Sequence, residues 1–127
     1  MNSIIAKEIA ASRLGTESDS EGGCLGRYRF DAGFAGFDGH FPGFPILPAI
    51  VEIHAVVSLV GAVQQSPQRL VAVQDAKFLN PVRPGQELSI VCRPRTVQGK
   101  ELCDARLTVG EVTVATMLLE LAPEESP

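Results

Sequence analysis

The sequence has few cysteines, and none of them lies in a motif that usually holds a metal or a disulfide framework. The three are Cys24, Cys92 and Cys103. Their number is odd and no two are spaced as a CxxC pair. We therefore expect no zinc site, no structural disulfides and a reducing cytoplasm as the location.

The chain also lacks a positive charge excess and an uninterrupted apolar run. Its formal net charge is -4, which argues against nucleic acid or an anionic membrane as the main partner. The longest apolar stretch, residues 46–63, is interrupted by Pro48, Glu52 and His54, so we expect a buried helix and no membrane span. The first 13 residues lack the apolar core of a signal peptide.

What the chain does have is the composition of one globular domain. Apolar residues make up 45% of its 127 residues, enough for a single core and too few residues for two. We expect one domain over residues 1–127, with its ends, residues 1–20 and 123–127, the least defined by the pattern.

Hydrophobic periodicity predicts one or two strands, a long helix and four more strands. Residues 4–14 fit either a helix or a strand, and residues 16–23 and 32–39 are expected to be a turn and a loop. The predicted strands are 24–31, 70–78, 87–94, 101–109 and 112–121, and the predicted helix runs from about 47 to 64. The helix is apolar on almost every side, which indicates that it is enclosed.

Two of the predicted strands form a hairpin with a consistent register. A turn at residues 97–98 would pair Cys92 with Cys103 and Ile90 with Ala105, all on one face. The chain is therefore predicted to be an α+β protein in which an antiparallel sheet curls around the helix. Such a sheet leaves its edges open, and pairing two subunits edge to edge would cover them.

Both histidines of the chain lie close to the start of this helix. His40 is followed by Pro and Gly, which restrict the backbone, and His54 lies on the helix itself. The helix N-terminus between them offers unpaired N–H groups and the positive end of the helix dipole. An imidazole beside such donors suits proton transfer next to a carbonyl group.

Two motifs resemble those of a known enzyme family. Residues 40–48, HFPGFPILP, are similar to the signature of the 3-hydroxyacyl-acyl carrier protein dehydratases. Residues 76–78, AKF, followed by residues 81–85, PVRPG, resemble a second stretch of that family. The resemblance extends over roughly residues 37–88. It implies a hot-dog fold, in which a curled antiparallel sheet wraps around one long buried helix.

The resemblance also implies a role for particular residues. His40 corresponds to the catalytic base, and position 54 corresponds to a second catalytic group that the partner subunit contributes. The backbone N–H of Ala49 corresponds to the group that holds the thioester carbonyl, and we expect the N–H of Gly43 to assist it. No metal ion and no other cofactor is implied.

The chain departs from the family pattern at these positions. The family has a carboxylate where His54 stands, and Glu52 cannot replace it, because two residues along a helix are about 200° of rotation apart. Ala49 replaces a glycine but keeps the N–H group. Ser58 replaces a glutamine one turn after His54 and is a candidate hydrogen-bond partner for the imidazole. Burial among apolar residues would favour the neutral form of His54.

The predicted function is dehydration of a 3-hydroxyacyl thioester, carried by acyl carrier protein or coenzyme A, in fatty acid or related acyl-chain biosynthesis. Two alternatives stay open: an accessory or non-catalytic protein that binds acyl thioesters, and a hot-dog thioesterase. We expect a cytoplasmic homodimer or higher even oligomer. The hairpin cations Arg93, Arg95 and Lys100 are either a docking patch for an acidic carrier protein or only a solvated surface.

Overall fold

The computed structural model describes residues 3–37, 43 and 45–124, so the predicted base His40 lies outside the described residues. Two helices and six strands lie within those ranges. They are α1 (Ser3–Ala11), β1 (Arg13–Ser18), β2 (Cys24–Arg29), α2 (Ala49–Gln64), β3 (Gln68–Phe78), β4 (Glu87–Val97), β5 (Lys100–Val109) and β6 (Val112–Pro123). A single 3₁₀ turn, Ala35–Phe37, precedes the HFPG segment.

The six strands form one sheet in the order β1-β2-β4-β5-β6-β3. Every neighbouring pair is antiparallel. The sheet packs against α2, and the core lies between them. A curled antiparallel sheet around one long helix was the predicted fold class, and the structure confirms it. Strands β1 and β3 are the two edges.

The centre of α2 is enclosed, as its composition predicts. Ala55, Val56 and Leu59 are fully buried. Strand β2 approaches the helix so closely that a Cβ atom on Gly26 would lie 2.5 Å from Cδ1 of Leu59, a separation that real side chains do not tolerate. Among the described residues, no helix is both long and apolar enough to cross a membrane.

A chain of aromatic rings continues the core from β2 toward the HFPG segment. The rings of Phe30 and Phe34 have centroids 4.8 Å apart, and those of Phe34 and Phe37 are 5.8 Å apart and nearly perpendicular. The 3₁₀ turn that contains Phe37 is thereby packed into the core, because offset and edge-on aromatic pairs add to the burial of their surface. The backbone that leads to residue 38 is therefore anchored.

The N-terminal region contains both of the elements that its pattern allowed. Residues 3–11 form α1, and β1 follows at Arg13. The predicted turn at 16–23 was wrong in its first part, because Thr16–Ser18 continues β1. Those residues are exposed on a sheet edge and pair with β2, so they carry no hydrophobic alternation that would mark a strand.

The predicted register of the β4–β5 hairpin was wrong by two residues. Cys92 lies opposite Ala105, and Ile90 lies opposite Leu107. The turn consists of Gln98 and Gly99, both with positive φ, as a two-residue turn that follows the sheet twist requires. Because the shift is an even number of residues, the core face of each strand was nevertheless predicted correctly.

Candidate functional site

The structure joins the two sequence motifs at the start of α2. The N–H of Leu47 donates to the carbonyl oxygen of Val82 at 2.8 Å, and the N–H of Gly85 donates to that of Phe30 at 2.8 Å. Val82 is fully buried. The PVRPG turn therefore holds the chain that enters α2 against the end of β2, which sets the position of the helix N-terminus.

Two backbone donors at that N-terminus have no partner within the part of the chain that the structure describes. Pro48 precedes the helix with φ -63° and ψ 146°, and no side chain caps it. The N–H groups of Val51 and Glu52 reach the carbonyl of Pro48. Those of Ala49 and Ile50 have no acceptor among the described residues, and both residues are exposed. The carbonyl-binding role predicted for the N–H of Ala49 stays a prediction.

Gly43 is the one described residue of the HFPG motif. Its φ is +82°, a conformation that other residues rarely adopt. The remaining residues of the motif lie outside the described part of the chain. The roles predicted for His40 and for the N–H of Gly43 therefore stay predictions.

His54 lies on α2 in the wall of a cavity of about 220 Å³. The other residues that line the cavity are Ala6, Ile9, Val57, Ser58 and Gln68. The imidazole is partly buried, and its desolvation lowers its pKa, because burial disfavours the charged form. At neutral pH the neutral imidazole is therefore favoured, as the sequence predicts.

Ser58 shares this cavity wall, but the polar partners of its hydroxyl are residues that the sequence did not indicate. Its oxygen accepts hydrogen bonds from Arg13 Nη1 and from Tyr28 Oη, each at 3.2 Å. Both lone pairs are then used, and only the hydroxyl proton is left to donate. No hydrogen bond between Ser58 and His54 is present among the described contacts, so the predicted support of His54 stays a prediction.

One signal could have pointed to Tyr28. It lies on the buried face of β2, and a buried tyrosine hydroxyl needs a partner. Burial is also the main reason that the pKa of Tyr28 is raised. No local pattern indicated Arg13, because the strand that carries it is mostly exposed.

Glu52 faces the core, away from His54, as the helical rotation predicts. It is only 4% exposed, and its Oε1 has no hydrogen-bond partner among the described residues. Burial raises its pKa to about 8. A carboxyl group in such a position is protonated at neutral pH and then behaves as a neutral polar group.

The hairpin cations are compensated by neighbouring carboxylates. Arg93 pairs with Asp19 at 3.7 Å, Arg95 with Asp104 at 3.5 Å and Lys100 with Glu120 at 3.3 Å. The solvated-surface interpretation of these residues is therefore favoured over a docking patch. Within the described ranges, no three His, Cys, Asp or Glu side chains come together as a metal site.

Comparisons of the sequence with known proteins match this chain to dehydratases. Residues 16–115 match the family model described as ApeI-like, ApeI dehydratase. The 3-hydroxyacyl-[acyl-carrier-protein] dehydratase FabZ of Bartonella henselae is 30% identical over 82% of this chain and 76% of its own. That of Rhizobium rhizogenes is 26% identical over 87% of this chain and 78% of its own.

Solved structures share the fold at lower sequence identity. The dehydratase heterocomplex ApeI:P from Xenorhabdus doucetiae matches with a TM-score of 0.74 and 21% identity, over 87% of this chain and 96% of the other. The E. coli PaaI protein from the phenylacetic acid degradation operon matches with a TM-score of 0.65 and 16% identity, over 96% and 88%. These likenesses confirm the hot-dog fold.

Glu52 should make the stability of this fold depend on pH. Its pKa is about 8 in the folded chain and 4.5 for an ordinary glutamate. As pH rises, the unfolded chain therefore loses this proton at a lower pH than the folded chain does. The free energy of unfolding consequently falls as pH rises from 4.5 to about 8. The loss is about 5 kcal/mol at most, since each pKa unit is worth about 1.4 kcal/mol.

Urea unfolding at several pH values, for the native chain and for Glu52→Gln, checks this prediction. Gln has the same shape and no ionisable group, so the variant should show a much flatter dependence of unfolding free energy on pH. Glu111→Gln, at an exposed turn, is the matched control and should keep the native slope. An unchanged slope in Glu52→Gln would contradict the assignment.

Proposed function

The chain belongs to the ApeI-like dehydratase family, and from that premise we propose that it is a lyase that removes water from 3-hydroxyacyl thioesters. The observation that carries the proposal is the uncapped start of α2. Its first N–H groups follow the HFPGFPILP motif in the chain, and the hydrogen bond between Leu47 and Val82 holds the start of the helix in place. The substrate would be carried by acyl carrier protein or coenzyme A, in acyl-chain biosynthesis in the cytoplasm.

In the proposed reaction, the backbone N–H groups of Ala49 and Gly43 donate hydrogen bonds to the thioester carbonyl oxygen. They stabilise the negative charge that develops there when a proton leaves C2. His40 takes that proton as the general base. The C3–O bond then breaks, and His54 of the partner subunit delivers a proton to the departing hydroxyl group, which leaves as water.

The two histidines need opposite protonation states for these roles. The base must be neutral and the acid must be charged. Desolvation lowers the pKa of His54 below its ordinary value of 6.5, so its charged form is already the minor one at neutral pH. The rate of dehydration is therefore expected to decline as pH rises toward neutrality, earlier than in an enzyme whose acid is a carboxyl group of raised pKa.

The proposed site needs two subunits, and the sheet offers an edge for their pairing. Strand β3 pairs with β6 on one side only, so its other edge is open among the described strands. An open strand of 11 residues is a template for pairing with a second copy. We propose a homodimer that joins the two β3 edges and brings His54 of each subunit to the site of the other.

One observation favours a second function, that of an accessory subunit. Position 54 holds a histidine where the family's carboxylate is expected, and one of the structural matches is described as a dehydratase heterocomplex. In this alternative the chain binds acyl thioesters but turns them over only beside a different subunit. The same assay separates the two functions.

The assay follows the purified protein with a 3-hydroxyacyl carrier protein by mass spectrometry. Loss of one water, abolished in His40→Ala and reduced about a hundredfold or more in His54→Ala, supports the proposal, since general acid–base catalysis is worth about 10²–10⁴ in rate. Acyl binding without turnover supports the accessory function. Release of the free carrier thiol supports a thioesterase. If His54→Ala keeps the native rate, the role proposed for His54 is wrong.

The role of the Ala49 N–H can be tested with a matched pair of substitutions. Proline is tolerated at the first position of a helix, and the extended backbone of Pro48 suits a following proline. Ala49→Pro should therefore fold but lack the N–H. Its kcat should fall by about 10²–10³, the usual effect of losing one oxyanion donor. Ala49→Gly keeps the N–H and should stay near the native rate; equal rates in both variants would contradict the role.

Hydrogen exchange can test the proposed pairing of β3. Alternate amides of this strand point away from β6, toward the side on which the described sheet has no further strand. In the proposed dimer they should exchange as slowly as the amides that face β6, and light scattering should give the mass of two chains. Fast exchange of these amides at a concentration where the dimer is present would place the interface elsewhere.

A further inference from the structure

The three cysteines, which the proposed function does not use, converge at the C-terminal end of α2. Cys24 on β2 lies directly opposite Cys92 on β4, and Cys103 lies on β5, the next strand of the sheet. All three cysteines line one cavity. All three are free thiols. Three strands therefore place three sulfur atoms in one cluster.

A cavity of about 190 Å³ gives access to this cluster. All three cysteines line it. The other lining residues include the apolar side chains of Val60 and Val63 on α2 and the polar side chains of Gln64, Arg93 and Glu101. A small polar reagent can therefore reach the sulfur atoms from solvent, although Cys24 and Cys92 are buried by their neighbours.

The strand register favours one pair of cysteines over the other. Directly opposed residues of an antiparallel pair have Cβ atoms about 4.5–5.5 Å apart, close to the range that a disulfide spans. Cys24 and Cys92 are opposed in this way. Cys103 lies opposite Pro94, so it is diagonal to Cys92, and diagonal neighbours are about 7–8 Å apart.

We propose that Cys24 and Cys92 form an oxidative modification site, at which a small hydroperoxide converts the two thiols into one disulfide. Cys24 is the thiol that reacts first. Its pKa is lowered, chiefly by a hydrogen bond with Cys92, and the thiolate is the form that attacks peroxides. Cys92 then acts as the resolving thiol.

The reaction balances in two steps. The thiolate sulfur of Cys24 attacks one peroxide oxygen, so that an S–O bond forms, the O–O bond breaks and the other oxygen leaves as water or an alcohol after taking up a proton. The product is a sulfenic acid on Cys24. The sulfur of Cys92 attacks it, the S–S bond forms and the S–O bond breaks. The departing hydroxide takes the proton of the Cys92 thiol and becomes water.

This site is separate from the proposed dehydratase site. Val63, which lines the cysteine cavity, lies 14 residues after Ala49 on the same helix, which is about 20 Å at 1.5 Å per residue. The disulfide would link β2 and β4, strands that are already paired, so it should form without rearranging α2. Its test therefore needs no measurement of dehydration.

The test treats the reduced native protein with hydrogen peroxide under denaturant-free conditions and maps disulfides by non-reducing peptide mass spectrometry. The expected product is an intramolecular link between Cys24 and Cys92. We also expect the oxidised protein to unfold several degrees higher than the reduced protein, because the link closes a long loop of the unfolded chain. A reductant should reverse both changes.

Cysteine variants supply the controls. Cys103→Ala should still form the link and show the rise in unfolding temperature, whereas Cys24→Ala and Cys92→Ala should show neither. Far-UV circular dichroism in reductant verifies that each variant is folded. The proposal is overturned if the native protein gives a link between Cys92 and Cys103, links between chains, or only irreversibly oxidised sulfur.

Discussion

The enclosure of α2 by the sheet is the constraint on which the rest of this structure depends. The helix is apolar almost all round, and such a helix is stable only when most of its surface is covered. A flat sheet covers one face, so the six strands have to curl. Strand β2 packs so closely against the helix that the side chain of Leu59 leaves no room for a Cβ atom at Gly26. Burial of this kind supplies most of the stability of a small domain.

The same enclosure fixes the position of the helix start. A buried helix needs a fixed entry, and Val82, itself fully buried, provides one by accepting a hydrogen bond from Leu47. The first turn that follows has no side-chain cap. Unpaired donors at a helix N-terminus are a cost for folding and an advantage for binding a carbonyl oxygen. The motif that marks the family, residues 40–48, therefore comes immediately before the core helix in the chain.

Glu52 and His54 on α2 show that enclosing the helix disfavours the charged forms of its polar side chains. Two residues apart on the helix, Glu52 enters the core and His54 lines a cavity beside α1. Desolvation favours the neutral form of both, so the pKa of the carboxyl group rises and that of the imidazole falls. The buried carboxyl group lowers the stability of the fold as pH rises from 4.5 to about 8. The imidazole, at the edge of the core, lines a cavity.

The sequence by itself determined the enclosed helix, five of the six strands, the fold and the family, because these depend on periodicity, on turn residues and on motifs that are local in the chain. It also indicated that Glu52 and His54 diverge, since a helix has a fixed rotation per residue. Only the tertiary structure decided the hairpin register, which a left-handed turn at Gln98 and Gly99 sets.

Contacts between residues distant in the chain were likewise decided by the tertiary structure. The bonds of Arg13 and Tyr28 to Ser58 span 45 and 30 residues, and Cys24 meets Cys92 across two strands that are not consecutive. Such contacts follow from strand order and from the depth at which each side chain is buried. Both are properties of the packed sheet, and no local stretch of residues encodes them.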